Sequence, residues 1–279
     1  MLEWSHRMRT RIIRSTSGAT LTALAAWTVL SCGAPARPGT ALPTSAAARH
    51  LEEWRRSRTD VYMNDFAELG HYRAANARLP PPAAGESRVV FFGDSITKAW
   101  DLERAFPGKP YVNRGIDGQT TSQLLLRLRD DVIDLGARAV VVLAGTNDIA
   151  GNTGPISLEE IAENFEAMAE LARAHGVRVI FSSVLPVHNY TPGSADNFDL
   201  RPPEKIVALN RWLERYSRAN GLLYLDYFSA MVDGHGLMRR ELADQGLHPN
   251  AAGYVVMTPL AAKAIEQALA RAGAASQPR

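Results

Sequence analysis

From Arg88 onward, short apolar runs alternate with longer amphipathic stretches. The runs at 89–92, 111–113, 139–144, 177–184 and 222–226 are too continuously apolar for strands wetted on one face. They fit strands covered on both sides. Between them, 119–134, 157–174, 203–219 and 251–271 place apolar residues at helical spacing. Ser157 with Glu160 opens one of these helices as a capping box. His175-Gly176 and Asn220-Gly221 close two others. The alternation predicts a three-layer α/β/α domain over 87–272, with a central parallel sheet of about five strands. In such sheets ligands bind beyond the carboxyl ends of the strands, so the loops there are the place to look for chemistry.

Ahead of this domain, 51–86 carries Leu51, Trp54, Tyr62, Phe66 and Leu69 at helix-like spacing. It predicts a helical extension that ends where Pro80-Pro81-Pro82 and Gly85 break the chain. Residues 32–50 are rich in small residues and Pro and read as a flexible tether. Residues 1–31 read as a signal peptide: Arg7, Arg9, Arg11 and Arg14 precede an apolar stretch at 19–30, shorter than the ~20 residues needed to span a bilayer. Cys32 follows Val29-Leu30-Ser31, a pattern that resembles a bacterial lipobox and predicts lipid attachment at Cys32, hence membrane attachment. The alternative is cleavage after Ala34-Pro35-Ala36, giving a periplasmic or secreted product. Residues 273–279 are expected to be a disordered tail.

Composition changes this picture little. The chain of 279 residues is 46% hydrophobic and 22% charged, ordinary for a globular protein. The four arginines of the leader, against Glu3, exceed the whole net charge of +2. What remains is not basic, which argues against a nucleic-acid partner. With one cysteine there is no internal disulfide. No protein partner is predicted.

Four loops carry distinctive residues. The first strand ends in Gly93-Asp94-Ser95, where a serine at a strand-to-helix turn suits a nucleophile whose oxyanion must be stabilised. The bland alternative is a turn whose Ser caps a helix. The second strand leads to Asp117-Gly118-Gln119, where Gly lets a backbone N–H approach a ligand. The third ends in Gly145-Thr146-Asn147-Asp148, where Asn147 can donate to an oxyanion or make an Asx-turn. Near the C-terminus, His248-Pro249 immediately precedes a helix.

These four blocks, in this order, resemble the SGNH hydrolases, also called GDSL esterases. The resemblance implies a flavodoxin-like fold and ester hydrolysis through a Ser95 acyl-enzyme with His248 as base. It implies an oxyanion hole of Ser95, Gly118 and Asn147, and neither metal nor organic cofactor. The expected substrate is a small-molecule acyl ester, with small acyl groups slightly favoured because no long apolar lid is evident. One position departs from the family: Gln245 stands where it places an Asp, and Asp244 lies one residue earlier. Asp244 is the candidate third member if the loop shifts by one residue. Otherwise a Ser-His dyad remains, with Asp226 a weaker substitute. Two further readings stay open: a non-catalytic or weakly active envelope lipoprotein that binds acylated glycans in a degenerate pocket, and an acyltransferase on the same site. The first strand is followed by no G-x-G-x-x-G, and there is no Walker A sequence, which argues against a nucleotide-binding protein.

Overall fold

Five parallel strands form one sheet in the order β2-β1-β3-β4-β5. They are β1 (Val89–Gly93), β2 (Tyr111–Gly115), β3 (Ala139–Leu143), β4 (Arg178–Ser182) and β5 (Leu223–Leu225). The structure is a computed structural model that describes residues 45–275. The expected leader, Cys32 and residues 32–44 of the tether lie outside the described residues. Each strand alternates its side chains between two cores. Val90, Phe92, Val140, Val142, Val179 and Phe181 face one of them. Val89, Phe91, Ala139, Val141 and Ile180 face the other. This is why the runs read as unbroken apolar segments, and it makes the domain the three-layer α/β/α fold.

Among the described residues, three helices precede the sheet: α1 (Ala46–Ser57), α2 (Thr59–Asn64) and α3 (Arg73–Arg78). Two short ones follow β1, α4 (Ser95–Lys98) and α5 (Leu102–Ala105), and α6 (Thr121–Leu128) follows β2. After β3 come α7 (Thr146–Ala150) and α8 (Leu158–Ala174). Between β4 and β5 lie α9 (Ala195–Asp199) and α10 (Pro203–Ala219); α11 (Phe228–Met231) and α12 (Ala251–Ala275) follow β5. Leu124 and Leu128 of α6, Phe165 and Met168 of α8, and Leu209 and Leu213 of α10 cover the first face. Met257, Ala261 and Ile265 of α12, with Trp100 and Phe106, cover the second. Burying each large side chain contributes about 1.5–3 kcal/mol. No described helix is long and apolar enough to cross a membrane.

The helical extension starts at Ala46, earlier than the composition suggested. Ser45 caps it, accepting from the Ala48 N–H at 3.0 Å. Alanine is the best helix former, so an Ala-rich stretch becomes helix once a cap and a docking face are supplied. Polar bonds then fasten the extension to the domain. Gln119 donates to the Ala67 carbonyl at 2.9 Å and Gln123 to that of Phe66 at 2.6 Å. Arg127, fully buried, donates to Gln119 at 2.7 Å and pairs with Asp131. Asn76 donates to Asp131 at 2.7 Å and accepts from Arg114 at 2.9 Å. At the other end α12 continues to Ala275, into the segment expected to be tail.

Candidate active site

The register of β1 decides where the loops converge. Gly93 pairs with Gly115 on one side and Leu143 on the other, so three strands end level. A Cβ on Gly93 would stand 2.3 Å from the Leu143 carbonyl oxygen and 2.4 Å from Thr97 Oγ1. Only glycine permits that approach. Asp94 then caps α4, its carboxylate accepting from the Ile96 N–H at 2.9 Å. Ser95 is the first residue of α4, and its Oγ lies 2.9 Å from His248 Nε2.

His248 sits on the segment before α12, pinned against the chain that follows β4. The His188 N–H donates to the Gly246 carbonyl at 3.0 Å. The His188 ring accepts from the Tyr190 N–H at Nδ1, so its Nε2 carries the proton and donates to the Ala243 carbonyl at 2.6 Å. Gly246 has φ +79, and a Cβ there would fall 2.3 Å from the His188 carbonyl oxygen. This tight turn decides which neighbour meets the imidazole. Gln245 places its side-chain Nε2 2.9 Å from His248 Nδ1. Asp244 does not reach the ring: its carboxylate accepts from Asn250 Nδ2 at 2.9 Å. The expectation for Asp244 is thereby corrected. Asp226 is also engaged elsewhere, accepting from the Ser229 N–H at 3.0 Å.

The primary amide of Gln245 can present either end to Nδ1. With Oε1 inward it accepts from Nδ1–H, leaving Nε2 free to accept from Ser95. With the NH₂ inward it fixes the opposite tautomer. Burial, with Arg201 adding to it, holds the His248 pKa below its ordinary value, while Asp117 opposes the shift.

Gly118 turns through φ +72, with the Trp54 ring where a side chain would be: a Cβ would stand 2.3 Å from Trp54 Cζ2. Its carbonyl accepts from Asn152 at 2.9 Å. Asn147 lies in the first turn of α7, after Gly145 at φ +109. Its Nδ2 donates to the Gln119 carbonyl at 3.1 Å, and its Oδ1 accepts from Arg201 at 3.2 Å. Asp148 ties the third loop to the second, accepting from the Thr121 N–H at 3.0 Å and from the Thr121 hydroxyl at 2.5 Å. Burial pushes the Asp148 carboxyl up to about 6 and that of Asp94 up to about 7.

Ser95, Gly118, Asn147 and His248 line one cleft of about 520 Å³. The structure thus brings Ser95, Gly118, Asn147 and His248 together, while Asp244 and Asp226 are bonded elsewhere and Cys32 lies outside the described residues. Leu51 and Trp54 of α1 form one wall, and Leu200 and Arg201 lie on another. His50 pairs with Asp196 between α1 and α9. Among the described residues no cluster of three or more His, Cys, Asp or Glu side chains could hold a metal ion. Asn152 and Arg201 carry no sequence signal and Trp54 only that of an apolar helix position, because each reaches the cleft only through tertiary packing.

Comparison with known proteins agrees with this geometry. The model of the GDSL-like Lipase/Acylhydrolase family matches residues 91–256, more than half of the chain. A GDSL-like lipase from Bacteroides thetaiotaomicron is 40% identical, with a TM-score of 0.68 over 73% of this chain and 100% of that one. Esterase TesA of Pseudomonas aeruginosa is 27% identical over 61% of this chain and 83% of its own length. The uncharacterized lipoprotein YqeF of Bacillus subtilis is 33% identical, but this chain spans only half of its length and the match covers 37% of this chain. The chain belongs to the GDSL-like lipase/acylhydrolase family.

Proposed function

We propose that the protein is an exported serine esterase that cleaves carboxylic esters of small acyl groups through an acyl-enzyme. The observation that carries this reading is the 2.9 Å contact between Ser95 Oγ and His248 Nε2, beside Gly118 and Asn147. His248 takes the Ser95 proton as Oγ bonds to the ester carbonyl carbon. The resulting oxyanion accepts hydrogen bonds from the N–H groups of Ser95 and Gly118 and from Asn147 Nδ2. When the intermediate collapses, the C–O bond to the alcohol breaks and His248 returns the proton to the leaving oxygen. Water, deprotonated by His248, then attacks the acyl carbon. Collapse of the second intermediate releases the acid and restores the Ser95 hydroxyl. Gln245, once its amide turns to bring Oε1 in place of Nε2 toward Nδ1, orients the ring for this role without supplying charge.

The Trp54 wall across Gly118 supports the preference for small acyl groups, because it limits the room beside the oxyanion hole. Export rests on the arginine-rich leader and the residues before Cys32. The lipoprotein YqeF, a relative, is consistent with it. Turnover of p-nitrophenyl esters from acetate to palmitate, run beside Ser95→Ala, tests the activity. We expect acetate or butyrate to be best and the variant to be inactive but folded. Absence of Ser95-dependent turnover on every ester would favour a binding protein. Mass spectrometry of the native N-terminus tests export: lipid on Cys32 is expected, and an uncleaved Met1 would overturn it.

A further inference from the structure

Arg201 is 5% exposed, lines the catalytic cleft and is unused by the chemistry above. Its hydrogen-bond partners are all uncharged, and Asp94 acts on it only through space. Nε donates to Thr146 Oγ1 at 3.0 Å, Nη2 to Asn147 Oδ1 at 3.2 Å, and Nη1 to the Asn197 carbonyl at 3.4 Å. Burying a guanidinium without a bonded carboxylate is costly, and a neutral side chain could fill the same space. We infer that Arg201 is a positioning residue for the oxyanion hole, holding the Asn147 amide with Nδ2 toward the developing charge. This rests on the esterase reading above.

Three features carry the argument. A guanidinium can only donate, so the end of the Asn147 amide that meets it must be Oδ1. The amide is thereby prevented from flipping, and Nδ2 is left on the cleft side, where it donates to the Gln119 carbonyl and, at 3.4 Å, to Asp94 Oδ2 until an oxyanion forms. Donation into Oδ1 also draws electron density from the amide, making its N–H groups stronger donors. Finally, Gln245 puts no negative charge behind His248, so charge separation during attack gains nothing on the imidazole side. A buried cation one amide away from the oxyanion favours that separation from the other side, in a medium that screens it poorly. The same cation disfavours protonation of His248, keeping the base neutral.

The test is the steady-state kinetics of p-nitrophenyl acetate for Arg201→Met, Arg201→Lys, Asn147→Ala and the double variant Arg201→Met/Asn147→Ala. Asn147→Ala should lower kcat by about 10²–10³, the usual loss for one oxyanion donor. Arg201→Met should lower kcat by at least tenfold with little change in KM. In the Asn147→Ala background it should cost far less, because its partner is gone. The acid limb of kcat/KM should move to higher pH in Arg201→Met and stay near the wild type in Arg201→Lys. The lysine also keeps the buried charge should the methionine fail to fold, and it should lose kcat because one ammonium cannot hold Thr146 and Asn147 together. An undiminished loss in the double variant, a rise in KM alone, or a wild-type kcat in Arg201→Lys would each overturn the proposal. Wild-type protein whose turnover survives Ser95→Ala would instead sink the esterase reading beneath it.

Discussion

The side-chain amide of Gln245 lies 2.9 Å from His248 Nδ1, the ring nitrogen opposite the one that meets Ser95. An amide can hold the ring in place, but it cannot offset the charge of an imidazolium. In a serine protease triad, replacing the Asp by its amide counterpart Asn costs ~10⁴ in kcat. Gln245→Asp shortens the side chain by one methylene and adds the charge. It should raise kcat at least tenfold with KM little changed, since the new interaction acts mainly in the transition state. It should also move the acid limb of kcat/KM to higher pH, because a carboxylate beside Nδ1 favours the protonated ring. Asp244→Asn, whose carboxylate faces Asn250, should leave both quantities within about threefold, a variation of ~0.65 kcal/mol in the barrier. A crippled Asp244→Asn enzyme would put the supporting carboxylate back on Asp244.

The strands and four site residues were legible for a physical reason. Strands buried on both faces must be continuously apolar, and Ser95, Gly118, Asn147 and His248 follow strands or precede a helix at fixed places in the topology. The sequence does not separate Gln245 from Asp244 as the partner of His248. Spacing alone leaves both within reach of His248, and the Gly246 turn against His188 decides between them. Trp54 and Arg201 were illegible because their neighbours in the cleft are distant in sequence: Trp54 packs on Gly118 and Arg201 bonds to Asn147. The start of α1 at Ala46 was hidden by composition, since alanines next to a proline-rich stretch look like linker until Ser45 caps them.

Trp54 and Gly118 make a second prediction. A Cβ at Gly118 would meet Trp54 Cζ2 at 2.3 Å, and φ +72 is unfavourable for alanine in any space. Gly118→Ala should therefore displace α1 or the loop and reduce kcat at least tenfold. Trp54→Ala removes the clash but not the backbone strain. The double variant should recover part of the lost activity and thermal stability, so the two changes should be non-additive. Trp54→Ala alone should shift the acyl preference toward longer chains by removing the wall. Strict additivity in kcat and Tm would show that the ring does not press on this glycine.

Asp94 is fully buried beneath Ser95, and its carboxyl is pushed up to about 7 chiefly by desolvation. In the unfolded chain an Asp titrates at about 3.9. Between about pH 4 and pH 7 the folded protein therefore keeps a proton that the unfolded chain has lost. Stability from this group is full below the unfolded value and is lost as pH rises through the folded value. Asp94→Asn cannot ionise, yet it keeps a side-chain oxygen that can accept from the Ile96 N–H, and Asn is as good a helix cap as Asp. The other titrating groups are common to both proteins, so their effects cancel to first order in the difference between the two Tm values. Wild type should be at its best relative to Asp94→Asn at about pH 4, lose ground steadily toward pH 7 and level off above it, as read by thermal melts in matched buffers. A difference that grows in favour of the wild type with rising pH would mean that Asp94 is ionised in the fold. In that case the Arg201 cation and the Ile96 N–H would outweigh the cost of burying its charge.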